Sequence, residues 1–231
     1  MKTLRLLSGG AARGLVESLR PVFETETGCR IEGAFGAVGA MRAKLLDGEA
    51  ADILILTQSL IAELDRTGHL VRGSAADIGG VETAIAVRQG DPVPRVADAD
   101  ALRAALLAAD AIYFPDPDQA TAGIHFAKVL RDLAIWDEVT ARLRPFPNGA
   151  AAMQALAAAD STRPIGCTQV TEIVAVPGVV VATSLPKGCD LTTIYTAAVA
   201  RNAVAPAMAA RLIAQLTGDA ARNSRKQAGF V

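Results

Sequence analysis

Histidine and cysteine are scarce in this chain of 231 residues. His69 and His125 are too far apart for a local metal site, and Cys29, Cys167 and Cys189 are an odd number without a CxxC pair. Both features argue against a zinc module or a disulfide scaffold. No metal and no cofactor are expected. Aromatic residues make up 4%, which disfavours stacking platforms for bases or sugars, and a net charge of −1 supplies no field for nucleic acid. No apolar run approaches the roughly 20 residues of a membrane span, so membrane insertion is not expected. The opening MKTLRLLSGG lacks the long apolar stretch and small-residue cleavage site of a secretory leader. The expectation is a cytoplasmic protein as the sequence stands, and a periplasmic one if a leader was removed.

What is abundant is apolar: 51% of the residues, in short runs that alternate with helical patterns. TLRLLS (3–8), RIEGAFG (30–36) and DILILT (52–57) read as strands. Each is followed by a helical pattern, at 13–28, 39–48 and 58–68. In the first of these helices Leu15, Leu19, Val22 and Phe23 are expected on one side, with a kink or break at Pro21. Strands alternating with helices imply right-handed crossovers and largely parallel sheets. Gly79 and Gly80 suggest a domain boundary, after which 81–90 reads as a strand. The rest is read as helices at 99–109, 121–134, 136–144, 148–159 and 170–175, with strands at 111–116, 163–169 and 179–186. A last strand is expected at 191–200 and a last helix at 204–217.

Four loops carry candidate chemistry. SGGAARG (8–14) is neither a Walker loop nor a dinucleotide fingerprint. It is a strand end, two glycines and a helix start, read either as a tight turn or as an anion cradle of main-chain N–H groups. FGAVGAMR (35–42) repeats the pattern. Arg13 and Arg42 stand early in the two helices, where the helix dipole disfavours a cation, so a shared anionic ligand is one reading and solvated arginine the other. In DPDQATAGIHFAKVL (116–130), Thr121 is a candidate cap, Ala122 and Gly123 leave first-turn amides uncovered, and His125 follows. In RPIGCTQVTEI (163–173), Thr168, Gln169 and Thr171 can hydrogen-bond an anion, and Cys167 reads as a small buried residue with no local base to activate it.

The ordered segments SGGA, FGAVGAMRAKLLDGEAADILI, PDPDQATAGIHFAKVLRDLAIWDEV and PIGCTQVTEIVA resemble the molybdate-binding proteins of ABC transporters, and more broadly the type II periplasmic-binding-protein fold. The resemblance runs through nearly the whole chain. It implies an α/β fold of two lobes, each a mainly parallel sheet flanked by helices, with a ligand cleft between them. Lobe one would be discontinuous, residues 1–80 plus about 191–231, and lobe two residues 81–190. Ser8, Gly9, Gly10 and Gly39 are candidate ligand contacts from the loop pattern, and the resemblance adds Ala11 and Val38 at the family's hydroxyl positions and main-chain donors near Ala122 and Gly149. Where the family has serine hydroxyls in its first two loops this sequence has Ala11 and Val38, and Gln169 stands at the family's cleft tyrosine. Arg13, Arg42, Thr57, Thr121, Thr168 and Thr171 are candidate replacements, better matched to a planar carboxylate than to a compact oxyanion.

The expected function is binding of a small organic anion, a di- or tricarboxylate, with an ABC permease as partner only if the protein is exported. The alternative is an isomerase of the aconitate isomerase type, moving a proton and a double bond in a tricarboxylate. His125, Glu172 and Tyr113 are its acid/base candidates.

Overall fold

The computed structural model describes residues 2–231, and the chain divides into two compact units, Met1–Val81 with Thr193–Val231, and Glu82–Thr192. Among the described residues no helix is long and apolar enough to cross a membrane.

The first unit opens with β1 (Lys2–Gly9), a single 3-10 turn at Gly10–Ala12, and α1 (Arg13–Thr27). β2 (Cys29–Gly36), α2 (Val38–Leu46), β3 (Ile53–Thr57) and α3 (Gln58–Arg66) complete two more strand–helix repeats. β1 lies between β2 and β3, parallel to both. β4 (Ala76–Arg88) then carries the chain into the second unit.

Three sequence expectations change in this region. α1 runs unbroken through Pro21; Pro21 and Glu17, whose carbonyl loses its N–H partner, both lie on the exposed face, where that carbonyl is open to solvent. Val22 is 50% exposed, and Leu15, Val16 and Phe23 form the buried stripe. The strand expected from 81 begins earlier: β4 starts at Ala76 and passes through Gly79 and Gly80, with the two units dividing between Val81 and Glu82. Gly79 adopts φ 157°, and a Cβ there would meet the Val231 carbonyl at 3.2 Å.

In the second unit the order is α4 (Ala99–Ala108), β5 (Ala111–Pro115), α5 (Thr121–Asp132), α6 (Trp136–Val139), β6 (Leu143–Phe146), α7 (Gly149–Ala157), β7 (Pro164–Gln169), α8 (Val170–Val174) and β8 (Val179–Ser184). β5 lies between β6 and β7 and is parallel to both, while β4 is antiparallel to β7 and β8. The single helix expected at 136–144 is instead α6, a 3-10 turn and the edge strand β6. Pro145 stops a helical reading there, and an edge strand accepts the N–H it lacks.

This sheet is buried on both faces. Ile85, Ile112 and Phe114 pack on one side with Phe126 and Leu130, while Ala84 and Ala86 pack on the other with Met153, Leu156 and Ile173. The small residues on the second face admit α7: a Cβ on Gly166 would lie 2.6 Å from Met153 Cε.

β9 (Thr192–Val199), antiparallel to β3, returns the chain to the first unit, and α9 (Pro206–Thr217) and α10 (Arg222–Gln227) close it. Asp52, fully buried, ties this return in place. It accepts hydrogen bonds from the main-chain N–H groups of Arg5 (2.8 Å), Val204 (2.6 Å) and Ala205 (3.3 Å). The aspartate of the GEAADILI stretch therefore joins residues 47 and about 150 positions away.

Candidate functional site

Parallel pairing puts the carboxyl ends of β1, β2 and β3 at one sheet edge, with Ser8 level with Phe35 and Ile55. Each end leads directly to a helical turn. The loop Gly9–Ala12 and the start of α2 lack any side-chain cap, since their capping positions are Gly9, Ala12 and Ala37. Small apolar residues here leave first-turn amides without an acceptor from their own loop. Gly9 cannot be larger: a Cβ would lie 2.8 Å from both Tyr195 Cε1 and Val38 Cγ1.

The remaining candidates of this unit are committed locally. The Ser8 hydroxyl donates to the Gly9 carbonyl at 2.9 Å, and Ala11 and Val38 are buried. Thr57 caps α3, accepting from Leu60 N–H at 3.4 Å and sharing a hydrogen bond with Ser59. Arg13 is exposed and stands over the Phe35 ring, 5.7 Å from its centroid. Arg42 is ion-paired with Glu63. Gly10 and Gly39 are half-buried.

The second unit repeats the plan at the ends of β5, β6 and β7. α5 starts after Ala120, again with no side-chain cap. Gly123 lets its first turn lie against the strand end, since a Cβ would meet the Asp116 and Pro115 carbonyls at 2.1 and 2.3 Å. Thr121 is half-buried and Ala122 buried. His125, one turn further on, hydrogen-bonds through Nε2 to the Cys189 carbonyl at 2.8 Å. A carbonyl only accepts, so Nε2 carries the proton. Tyr113 lies in mid-strand rather than at the strand end, stacked on Phe146 with centroids 6.0 Å apart.

The beginnings of α7 and α8 come together on Glu172. Thr168 donates its hydroxyl to Glu172 Oε2 at 2.6 Å, and the main-chain N–H groups of Gly149 and Gln169 donate to the same carboxyl. Burial pushes this carboxyl above its ordinary range, outweighing the three hydrogen bonds that favour its ionised form. Nearby, the Thr171 hydroxyl, 3% exposed, and the Thr83 hydroxyl, 1% exposed, have no hydrogen-bond partner. Thr83 stands opposite Gln169 across β4 and β7. Burial raises the Cys167 thiol far above its usual value, which leaves it inert.

Glu172, Thr168, Gln169, Thr171 and Gly149 are thus brought together; Tyr113 packs on the apolar cluster that Met153 of α7 and Ile173 of α8 share, and His125 is bonded to the Cys189 carbonyl. Thr83 was not among the residues singled out in the sequence. Its signal was a hydroxyl within the apolar run TAIAV.

Known proteins resemble this chain in sequence or in fold. A curated aconitate isomerase from Pseudomonas is 27% identical over 234 residues, covering 99% of this chain and 87% of that protein. Among solved structures, the periplasmic molybdate-binding protein of Azotobacter vinelandii matches with a TM-score of 0.82 at 18% identity, covering 99% of this chain and 98% of its own. The sulfate-binding protein of Mycobacterium tuberculosis matches with a TM-score of 0.78 at 16% identity, covering 100% and 86%. The model of the family described as bacterial extracellular solute-binding protein matches residues 4–231. The chain therefore belongs to that family, with the type II periplasmic-binding-protein fold.

Proposed function

We propose that this protein binds a small organic anion, a di- or tricarboxylate, through main-chain amides and hydroxyls at its strand-end loops. The observation that carries the reading is that helices following strand ends start without a side-chain cap within each unit, α1 and α2 in the first and α5 in the second. Such amides suit an anion. The class of anion is argued from side chains. A compact oxyanion needs hydroxyls close around it, and the first two loops offer buried Ala11 and Val38 instead. The amide of Gly149 is already engaged by Glu172. An extended carboxylate can use separated donors, including the unpartnered hydroxyls of Thr83 and Thr171.

The test is calorimetric and thermal titration of the protein with di- and tricarboxylates, in parallel with molybdate and sulfate. A ligand at 100 times its Kd stabilises the folded state by about 2.7 kcal/mol, a rise of several degrees in Tm for a chain of this size. Stabilisation by the oxyanions and by no carboxylate overturns the proposal.

An isomerase reading is favoured by one relative, the aconitate isomerase, and by one group, the Glu172 carboxyl, which burial pushes above its ordinary range. A 1,3-proton shift breaks one C–H bond, moves the double bond by one position and forms a C–H bond at its far end. Such chemistry needs an acid/base group and donors for the enolate-like charge. Incubating each stabilising unsaturated carboxylate in D₂O tests it: deuterium incorporation or isomer formation supports chemistry, and unchanged substrate removes it.

A further inference from the structure

Three donors converge on one side chain in the second unit. The amides of Gly149 and Gln169 and the Thr168 hydroxyl all serve the Glu172 carboxyl, which is 7% exposed. Its surroundings supply hydrogen-bond donors and no counter-charge. Gly149 makes the approach physically allowed, because a Cβ would lie 1.9 Å from Glu172 Oε2 and 2.2 Å from Thr168 Oγ1. Helix capping accounts for one donor only: Glu172, third residue of α8, accepts from the N–H of the capping position Gln169, whereas α7 is already capped by Asn148, which accepts from Ala151 N–H at 2.9 Å. Alongside lie the buried, unpartnered hydroxyls of Thr171, on the same helix as Glu172, and Thr83, opposite Gln169. Two donors without acceptors beside an acceptor that takes three form a polar pocket filled from within the chain.

We infer that Glu172 is a specificity-determining residue: its carboxyl occupies the donor cradle that a compact tetrahedral dianion would need, and so excludes molybdate-like and sulfate-like ligands from this unit. A dianion entering the cradle would have to displace a buried side chain or share three donors with it. A carboxylate ligand recruiting the free hydroxyls does neither. This assignment rests on the anion-binding reading above, and it names the feature that sets ligand class.

The test compares wild type with Glu172→Ala and Glu172→Ser by calorimetry, using sodium molybdate, sodium sulfate and sodium formate as probes. Each charge-assisted hydrogen bond regained strengthens binding about tenfold or more. At least a hundredfold tighter molybdate or sulfate binding is therefore expected in the variants than in wild type, with formate competing for the vacated cradle. The serine variant keeps a polar filler and serves if the alanine variant does not fold. Where neither folds alone, recovery of the folded state by formate supports the assignment, and failure of every anion to recover it counts against it. Wild type binding molybdate as tightly as a folded variant overturns it, as does a folded variant that takes none of the three anions. A parallel titration of wild type with a tricarboxylate separates the two ideas: tricarboxylate silence with oxyanion gain in the variants removes the carboxylate reading and leaves the role of Glu172 standing.

Discussion

Replacing Asp52 by alanine tests how the first unit is held together. The Asp52 side chain is fully buried and accepts from three main-chain N–H groups, Arg5 on β1 and Val204 and Ala205 ahead of α9. Alanine leaves all three without that acceptor. A buried donor left unpaired costs about 1–3 kcal/mol. The 3.3 Å bond from Ala205 shares Oδ1 with the 2.6 Å bond from Val204 and adds little, so two full losses are counted. The Arg5 guanidinium, 3.7 Å away and 41% exposed, is screened and adds nothing to the sum. The expected loss is about 2–6 kcal/mol, or roughly 4–24 °C in Tm at 2–4 °C per kcal/mol for a chain of this length. Differential scanning calorimetry and urea unfolding would measure it. Asp52→Asn keeps an acceptor for Val204 and turns an amide N–H₂ toward Arg5 N–H, so about half the loss is expected. A loss below about 1 kcal/mol in the alanine variant, or an asparagine variant equal to wild type, would refute the reasoning.

Three further outcomes are expected. Below the ordinary carboxyl value of 4.5, Glu172 is protonated in both states; above it the unfolded chain releases the proton while the folded chain, with its raised pKa, keeps it. Stability contributed by Glu172 therefore falls as pH rises from about 4.5 through the folded value, and Glu172→Gln abolishes this component. Urea titrations of both proteins at several pH values check the sign, and a wild-type-minus-variant difference that is flat or rises with pH contradicts it. Thr83→Val replaces a buried hydroxyl without a partner by a methyl group. It is expected to leave stability unchanged or raise it by about 1 kcal/mol while weakening the anion about tenfold; a clear loss of stability would mean the hydroxyl is satisfied. Gly9→Ala places a methyl group 2.8 Å from Tyr195 and Val38, an overpacking cost of about 1–3 kcal/mol, and an unchanged Tm would show that the loop gives way freely.

The alternation of strands and helices was legible in the sequence because each element carries its own period and stop signal. Gly28 adopts φ 62° at the end of α1, and Ile53 to Leu56 are each fully buried, as an uninterrupted apolar run demands. Glycine followed by a helix start likewise marked the loops at the strand ends. Where local signals compete, they misled. Two adjacent glycines read as the start of a new strand at 81, yet they sit inside β4, where the chain's last residue pairs with Gly80. The pattern at 136–144 read as one helix, yet pairing with β5 makes its end a strand.

The sequence by itself determined the element types, the strand-to-helix turns and the small residues at the helix starts, since these are settled within a few positions along the chain. Only the tertiary structure decided which polar groups meet. Asp52 finds donors 47 and about 150 residues away, His125 a carbonyl 64 residues away, and Glu172 the first amide of a helix 23 positions earlier. The physical reason is that a buried polar group must find its partner wherever packing brings one. Periodicity records which face is buried, and it holds no record of what waits there.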